Sequence, residues 1–223
     1  MNTSNVSGFP KVAMQNNLSQ PVAQWIKRTI DVSVAGLGLL FLAPFLGLLV
    51  AAIRLDSSGP AFYWHPRIGL GGKTFKMLKF RTMHIDAHAV LWEHLLKDPR
   101  LMAEWEQYQK LKHDPRVTRV GRFLRRLSLD ELPQLLNVFN GTMSLVGLRP
   151  LTLEQRPLCG DYLKEYILIV PGITGLWQVS GRNEIPFKER MAYDRQYMRE
   201  WSLWLDLWIF LKTFWVVLSG RGC

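Results

Sequence analysis

Cysteine and histidine are scarce in this 223-residue chain, two and five respectively, and their positions argue against metal chemistry based on either. Cys159 and Cys223 lie far apart, and neither belongs to a Cys-x-x-Cys pair or another metal-ligand spacing. Both read as free thiols of a reducing compartment. His84 and His88 are four apart and would share a helix face as a zinc pair does. No third ligand stands near them, and two surface histidines are the plainer reading. Acidic residues are few as well: 18 Asp and Glu against 28 Lys and Arg leave a formal net charge of +10. That balance implies anionic partners, whether nucleic acid, acidic lipid or a nucleotide diphosphate. The first twenty residues lack both periodicity and the basic-then-apolar order of a secretory signal, so residues 1–21 read as a disordered tail. The length calls for no second domain.

Long apolar runs, by contrast, are present. Residues 32–53 (VSVAGLGLLFLAPFLGLLVAAI) carry no charge, and about 20 apolar residues suffice to cross a bilayer. Two features favour a re-entrant hairpin over a spanning helix. Pro44 sits near the middle, where it removes a backbone hydrogen bond. Basic residues flank both ends, Lys27 and Arg28 before and Arg54, Arg67 and Lys73 after, and a spanning helix can keep only one flank on the cytoplasmic side. Proline is also tolerated in spanning helices, so spanning stays open. Asp31 would pair with Lys27 or Arg28 at headgroup depth. The stretch 201–218 is also apolar, but Asp206 and Lys212 interrupt it and it holds four of the nine tryptophans. It reads as an interfacial helix in the membrane plane, with a buried core helix as the competitor.

Between these ends, β-like runs at 61–65 and 74–80 precede a helical stretch over 86–112, whose stripe of Trp92, Leu95, Leu96, Trp105, Tyr108 and Leu111 serves packing. Residues 112–126 (KHDPRVTRVGRFLRR) hold six Lys or Arg against one Asp. Arg116, Arg119, Arg122 and Arg125 would form a basic stripe on a helix, either a solvated or lipid-facing face or an anion site near a reactive group. In the next segment, SLDELPQLLN, Ser128 and Glu131 have the spacing of a capping box, which would put Asp130 and Glu131 in a helix's first turn. The same place suits a carboxylate nucleophile, because the helix terminus with Arg125 and Arg126 would favour the ionised form, while the second carboxylate could hold a divalent cation. Two Gly- and Arg-bearing loops, 141–150 (GTMSLVGLRP) and 171–183 (PGITGLWQVSGRN), supply backbone amides and guanidinium groups suited to phosphates.

Taken together, KFRTM (79–83), RFLRRLSLDELPQLLNV (122–138), MSLVGLRP (143–150), PGITGLWQVSGRN (171–183) and the 193–218 tail resemble the bacterial sugar transferases. These are the monotopic phosphoglycosyl transferases that begin O-antigen, capsule and exopolysaccharide assembly. The resemblance runs in order from about Gln24 to the C-terminus. It implies a mostly helical α+β single domain embedded in the membrane. Its parts would be a re-entrant hairpin over 22–55 with its break at Pro44, a catalytic domain over 56–223 and interfacial amphipathic helices. The implied activity is transfer of hexose-1-phosphate from a UDP-hexose, galactose or glucose, to undecaprenyl phosphate at the cytoplasmic face of the bacterial inner membrane. Asp130 would be the nucleophile and Glu131 its partner, both on Mg2+, with Arg125 and Arg149 on phosphate. Lys79, Arg81, Gln178, Arg182 and Asn183 would line the nucleotide-sugar site. The family's usual GDMSLVGPRP reads here with Thr142 and Leu148, which puts in doubt an acidic metal ligand and a rigid turn at those positions. Many relatives of this branch carry a further multi-helix membrane region, and this chain is expected to match the catalytic core. A catalytically inactive membrane-bound scaffold is the alternative; nucleic-acid binding would leave both apolar ends unexplained. Homo-oligomerisation is compatible with the sequence and undecided by it.

Overall fold

Backbone groups held away from water must be satisfied within their own segment, and the apolar run obeys this as one helix, α1 (Pro21–Asp56, 36 residues). The computed structural model describes residues 21–108, 111, 114–181 and 185–218. All but the last residue of the expected tail, together with Arg182, Asn183 and Cys223, lie outside them. Pro21 opens α1, where a missing N–H costs nothing, and Arg54 in the last turn complements the dipole. At 1.5 Å per residue α1 is about 54 Å long. Among the described residues it alone is long and apolar enough to cross a membrane. Leu37, Leu40, Phe41 and Leu48 lie exposed along it. The two-helix hairpin expected around Pro44 takes the form of one helix that continues through the proline.

Both ends of α1 dock on the same body. Near its start, Lys27 pairs with Asp206 at 2.5 Å and donates to the Val146 carbonyl. Arg28 donates to the Val138 and Phe139 carbonyls, closing a helix end, and buried Asp31 accepts from the Leu145 amide. The pairing expected between Asp31 and Lys27 or Arg28 therefore does not form: each group finds its partner in the body instead. At the other end Leu49 and Ile53 pack with Ala61, Phe80 and Leu124, and Asp56 accepts from the Val120 amide.

Two strands, β1 (Phe62–Ile68) and β2 (Thr74–Phe80), form an antiparallel hairpin with Tyr63 opposite Lys79 and Arg67 opposite Phe75. The expected helix over 86–112 is two, α2 (Ala87–Lys97) and α3 (Pro99–Tyr108). Asp98 is extended because the residue before a proline avoids the helical region, and Pro99 then starts the next helix. Next come α4 (Arg119–Arg126), a 3₁₀ turn (Leu129–Glu131) and α5 (Gln134–Phe139). Strands β3 (Ser144–Val146) and β4 (Gly172–Thr174) pair in parallel, with α6 (Tyr162–Tyr166) between them in sequence. The helices α7 (Leu176–Ser180), α8 (Phe187–Glu200) and α9 (Leu203–Leu218) complete the order. The main core gathers Val138, Met143, Leu148, Tyr162, Tyr166, Tyr197, Trp201 and Ile209.

Helix α9 (Leu203–Leu218) has one face in the core and an exposed apolar face. Leu205 and Ile209 are buried, while Trp204, Leu207, Leu211, Phe214 and Trp215 are exposed. Asp206 interrupts the apolar run because it receives Lys27, Tyr197 and Trp201 in one buried knot.

Candidate active site

The edge of β2 is satisfied by a side chain: Asn137 of α5 accepts from the Leu78 amide and donates to the Lys76 carbonyl. This fixes the strand carrying Lys79 against the segment carrying Asp130 and Glu131. Beyond β2, α4 approaches so closely that a Cβ on Gly121 would lie 2.1 Å from the Thr82 carbonyl oxygen, so only glycine fits. Thr118 caps α4 by accepting from Gly121, and Arg116, tied to Asp114, stands before the helix and outside its stripe. Arg119, Arg122 and Arg126 are exposed, whereas Arg125 turns inward and donates through Nε to Thr82 at 2.9 Å.

The expected capping box does not form. Ser128 adopts φ 54°, the left-handed region, and makes no side-chain cap. A left-handed residue breaks the helical path, so Asp130 and Glu131 sit in a separate three-residue turn ahead of α5. There Lys79 Nζ lies 2.6 Å from Glu131 Oε1 and 3.6 Å from Asp130 Oδ2, and Arg149 Nη2 lies 3.4 Å from Glu131 Oε1. The side chains of Lys79, Asp130 and Glu131 are 13–18% exposed, partly dry yet open to solvent.

This setting drives the two carboxyls apart. Burial raises Asp130, and the neighbouring Glu131 charge adds to it, against the pull of Lys79, Arg125 and Arg149. The direction expected from a helix terminus is therefore reversed, because desolvation outweighs the cations. Burial also acts to raise Glu131, but Lys79 and Arg149, close enough to hydrogen-bond, overcome it and hold the group at about 2. One carboxylate thus stays ionised and the other becomes the more basic, hence the better nucleophile once deprotonated. The described residues hold no cluster of three or more His, Cys, Asp or Glu. Two adjacent carboxylates are an all-oxygen, incomplete ligand set, which fits Mg2+, an ion that keeps waters and takes further ligands from substrate phosphates.

The other expected residues divide. Arg149 is in the cluster, with Trp177 against its guanidinium at 5.9 Å and Arg190 stacked on the same ring at 4.6 Å. Arg81 is not: it is buried and donates to the Ser57 and Ser58 carbonyls, latching the end of α1 to β2. Gln178 donates to the Ile173 carbonyl within its own loop. Arg182 and Asn183 lie outside the described residues. Thr142 hydrogen-bonds Asn137, and Leu148 is a fully buried core residue, so both departures serve packing here. Sequence reasoning read Arg67 as a membrane flank, yet its charge senses Arg149 and Glu131. The signal was strand alternation, which puts Arg67 on the same face as Tyr63, the cross-strand partner of Lys79.

Known proteins resemble the chain over most of its length. The chain is 48% identical over 209 residues to an uncharacterized sugar transferase of Haemophilus influenzae and 45% identical to the undecaprenyl-phosphate galactose phosphotransferase of Salmonella typhimurium. Each match takes in 94% of this chain but 44% of the relative, so the chain spans under half their length. The exopolysaccharide production protein ExoY of Rhizobium meliloti is 45% identical over 203 residues, 91% of this chain and 90% of that protein. The family model described as bacterial sugar transferase matches residues 22–220, a span that includes the long helix, the dyad and the core, and the chain belongs to that family.

Proposed function

We propose that this protein transfers hexose-1-phosphate from a UDP-hexose to undecaprenyl phosphate, initiating surface polysaccharide assembly. The observation that carries the reading is the half-buried Asp130–Glu131 pair, its pKa values driven apart and its surroundings cationic. Asp130 Oδ attacks the phosphorus bonded to the sugar, forming an acyl phosphate, and the bond to the bridging oxygen breaks, releasing UMP. A phosphate oxygen of the lipid carrier then attacks the same phosphorus and frees the carboxylate. Lys79 and Arg149 hold Glu131 ionised and offset charge on the phosphoryl oxygens, and Arg125, braced by Thr82, adds a third cation. Asp130 and Glu131 would hold Mg2+, which supplies charge neutralisation of the diphosphate when bound. Names of relatives support the substrate class: one is an undecaprenyl-phosphate galactose phosphotransferase, and an Escherichia coli relative, 37% identical, is a UDP-glucose:undecaprenyl-phosphate glucose-1-phosphate transferase.

Entry and return of α1 through one face of the cytoplasmic membrane is part of the same reading. It is supported by the docking of both helix ends on one body, which a spanning helix would have to carry through the bilayer. The test is UMP release from a panel of UDP-sugars by purified protein with Mg2+ and undecaprenyl phosphate, wild type beside Asp130→Asn. We expect release with galactose or glucose, lost by a factor of at least about 10³ in the variant. No release with any sugar from folded, lipid-bound protein would overturn the reading and favour a scaffold.

A further inference from the structure

Arg67 has no role in the chemistry just described, and its surroundings call for one. It lies half-buried on β1, with Nη1 donating to the Pro150 carbonyl at 3.1 Å and Nε buried without a partner. Among the described residues it forms no ion pair. Its strongest charged neighbour is another cation: burial and Arg149 together depress it to about 10, with Glu131 and exposed Glu154 acting weakly the other way. A partly desolvated guanidinium beside a second one is unfavourable unless an anion completes the arrangement.

The juxtaposition is also rigid. The Ile68 amide donates to the Leu151 carbonyl, and the buried Tyr166 hydroxyl donates to the Ile68 carbonyl while accepting from the Leu151 amide. One strand end and one loop are thereby locked together, which holds Arg67, one residue before Ile68, near Arg149, two residues before Leu151. Glu131 is the shared neighbour: Lys79 and Arg149 lie beside it, Arg67 senses its charge, and Arg125 acts on the adjacent Asp130.

We infer that Arg67 is a phosphate-binding residue of this site, which with Arg149 clamps a substrate phosphate between two guanidinium groups. The inference rests on the function proposed above and specifies which side chains grip the anion. Two substrates supply that chemistry, the diphosphate of the nucleotide sugar and the phosphate of the lipid carrier, and the two half-reactions separate them.

The experiment compares wild type, Arg67→Gln and Arg67→Lys in three measurements on detergent-purified protein. The first is the UMP burst with UDP-hexose alone, the second the KM for undecaprenyl phosphate, and the third UMP and inorganic phosphate binding by calorimetry, which needs no turnover. Losing a charge-assisted contact is expected to weaken the relevant substrate about tenfold or more. A slowed burst and weaker UMP binding assign Arg67 to the nucleotide diphosphate. An unchanged burst with a raised KM for the carrier and weaker phosphate binding assigns it to the lipid phosphate. Arg67→Lys keeps the charge and stem but not the planar fork, so it should fold as wild type and still lose affinity; it carries the test if the Gln variant does not fold. Unchanged burst, KM and binding in a folded variant overturn the inference while leaving the function intact. Wild type that binds UMP but never turns over, with binding weakened in the variants, overturns the function and keeps the clamp.

Discussion

Replacing Lys79 removes the ammonium that stands between two half-buried carboxyls, and the consequence follows from their opposite behaviour. Glu131 is held near 2, below its unfolded value of about 4.3, so it stabilises the fold above pH about 4 and that contribution is lost as pH falls through 2. In Lys79→Met the carboxylate keeps only Arg149 at 3.4 Å, and Asp130 loses its main opposing charge. We expect a loss of about 3 kcal/mol in chemical denaturation at pH 7, the usual cost of stripping one partner from a buried pair. Acid unfolding should begin at higher pH than in wild type. Adding Glu131→Gln should restore a large part of the stability, and a double variant no better than the single one would show that Lys79 acts on something other than Glu131. The identity of the pair was legible in the sequence, since adjacent carboxylates beside arginines stand out in any reading. Its conformation was not. Ser-x-x-Glu spells a capping box, and what overrides it is the left-handed turn at Ser128, between α4, seated on Thr82 through Gly121, and α5, seated on β2 through Asn137.

At the scale of elements, α1 is where local rules and tertiary contacts differ most. By length and composition it could cross a membrane, and a proline near its middle suggests a break, yet the helix continues. The flanking charges read as topology signals turn out to be docking contacts: Lys27 on Asp206, Arg28 on the last carbonyls of α5, Asp56 on the amide that starts α4. No local pattern announces these, because each partner lies 64 to 179 residues away in the sequence. The strands of the β1–β2 hairpin, by contrast, were legible as β-like runs, since strand composition is local, although β1 extends to Ile68, past the expected 61–65. If both ends of α1 stay on one side, single cysteines at Val22 and Ser58, in a chain that carries Cys223→Ser and whose Cys159 is buried, will react with an impermeant maleimide from the same face of oriented vesicles. Reaction from opposite faces would make α1 a spanning helix and detach its N-terminal contacts from the body. Pro44→Ala tests the proline itself: a helix that must bend to return should show Val22 labelling divided between the two faces.

The whole molecule presents two apolar surfaces that no described residue covers, and they adjoin. The outer side of α1 carries Leu37, Leu40 and Phe41, and α9 packs beside its N-terminal half across a cavity of about 350 Å³ lined by Ile30, Val34, Leu203, Leu207 and Phe210. Trp204 and Trp215 stand exposed on α9, while Trp177 and Trp201 are buried in the body. Exposed indole rings beside a membrane helix belong at headgroup depth, where the ring is desolvated and its N–H stays hydrated. A bilayer in this position would cover α1 and the outer face of α9 together, beside the turn of Asp130 and Glu131, whose flanking Leu129 and Leu132 pack against the C-terminal part of α1. The arrangement predicts an uneven response to lipids carrying a brominated acyl quencher. Replacing Trp204 and Trp215 with Phe should remove much of the quenchable emission, and replacing Trp177 and Trp201 should remove almost none. In a chain that also carries Trp25→Phe, which removes the exposed indole at the start of α1, quenching undiminished by loss of Trp204 and Trp215 would take α9 out of the bilayer. Its exposed face would then need another apolar cover, and a second copy of the chain would be the first to look for, by comparing the mass of the particle in detergent with that of one chain.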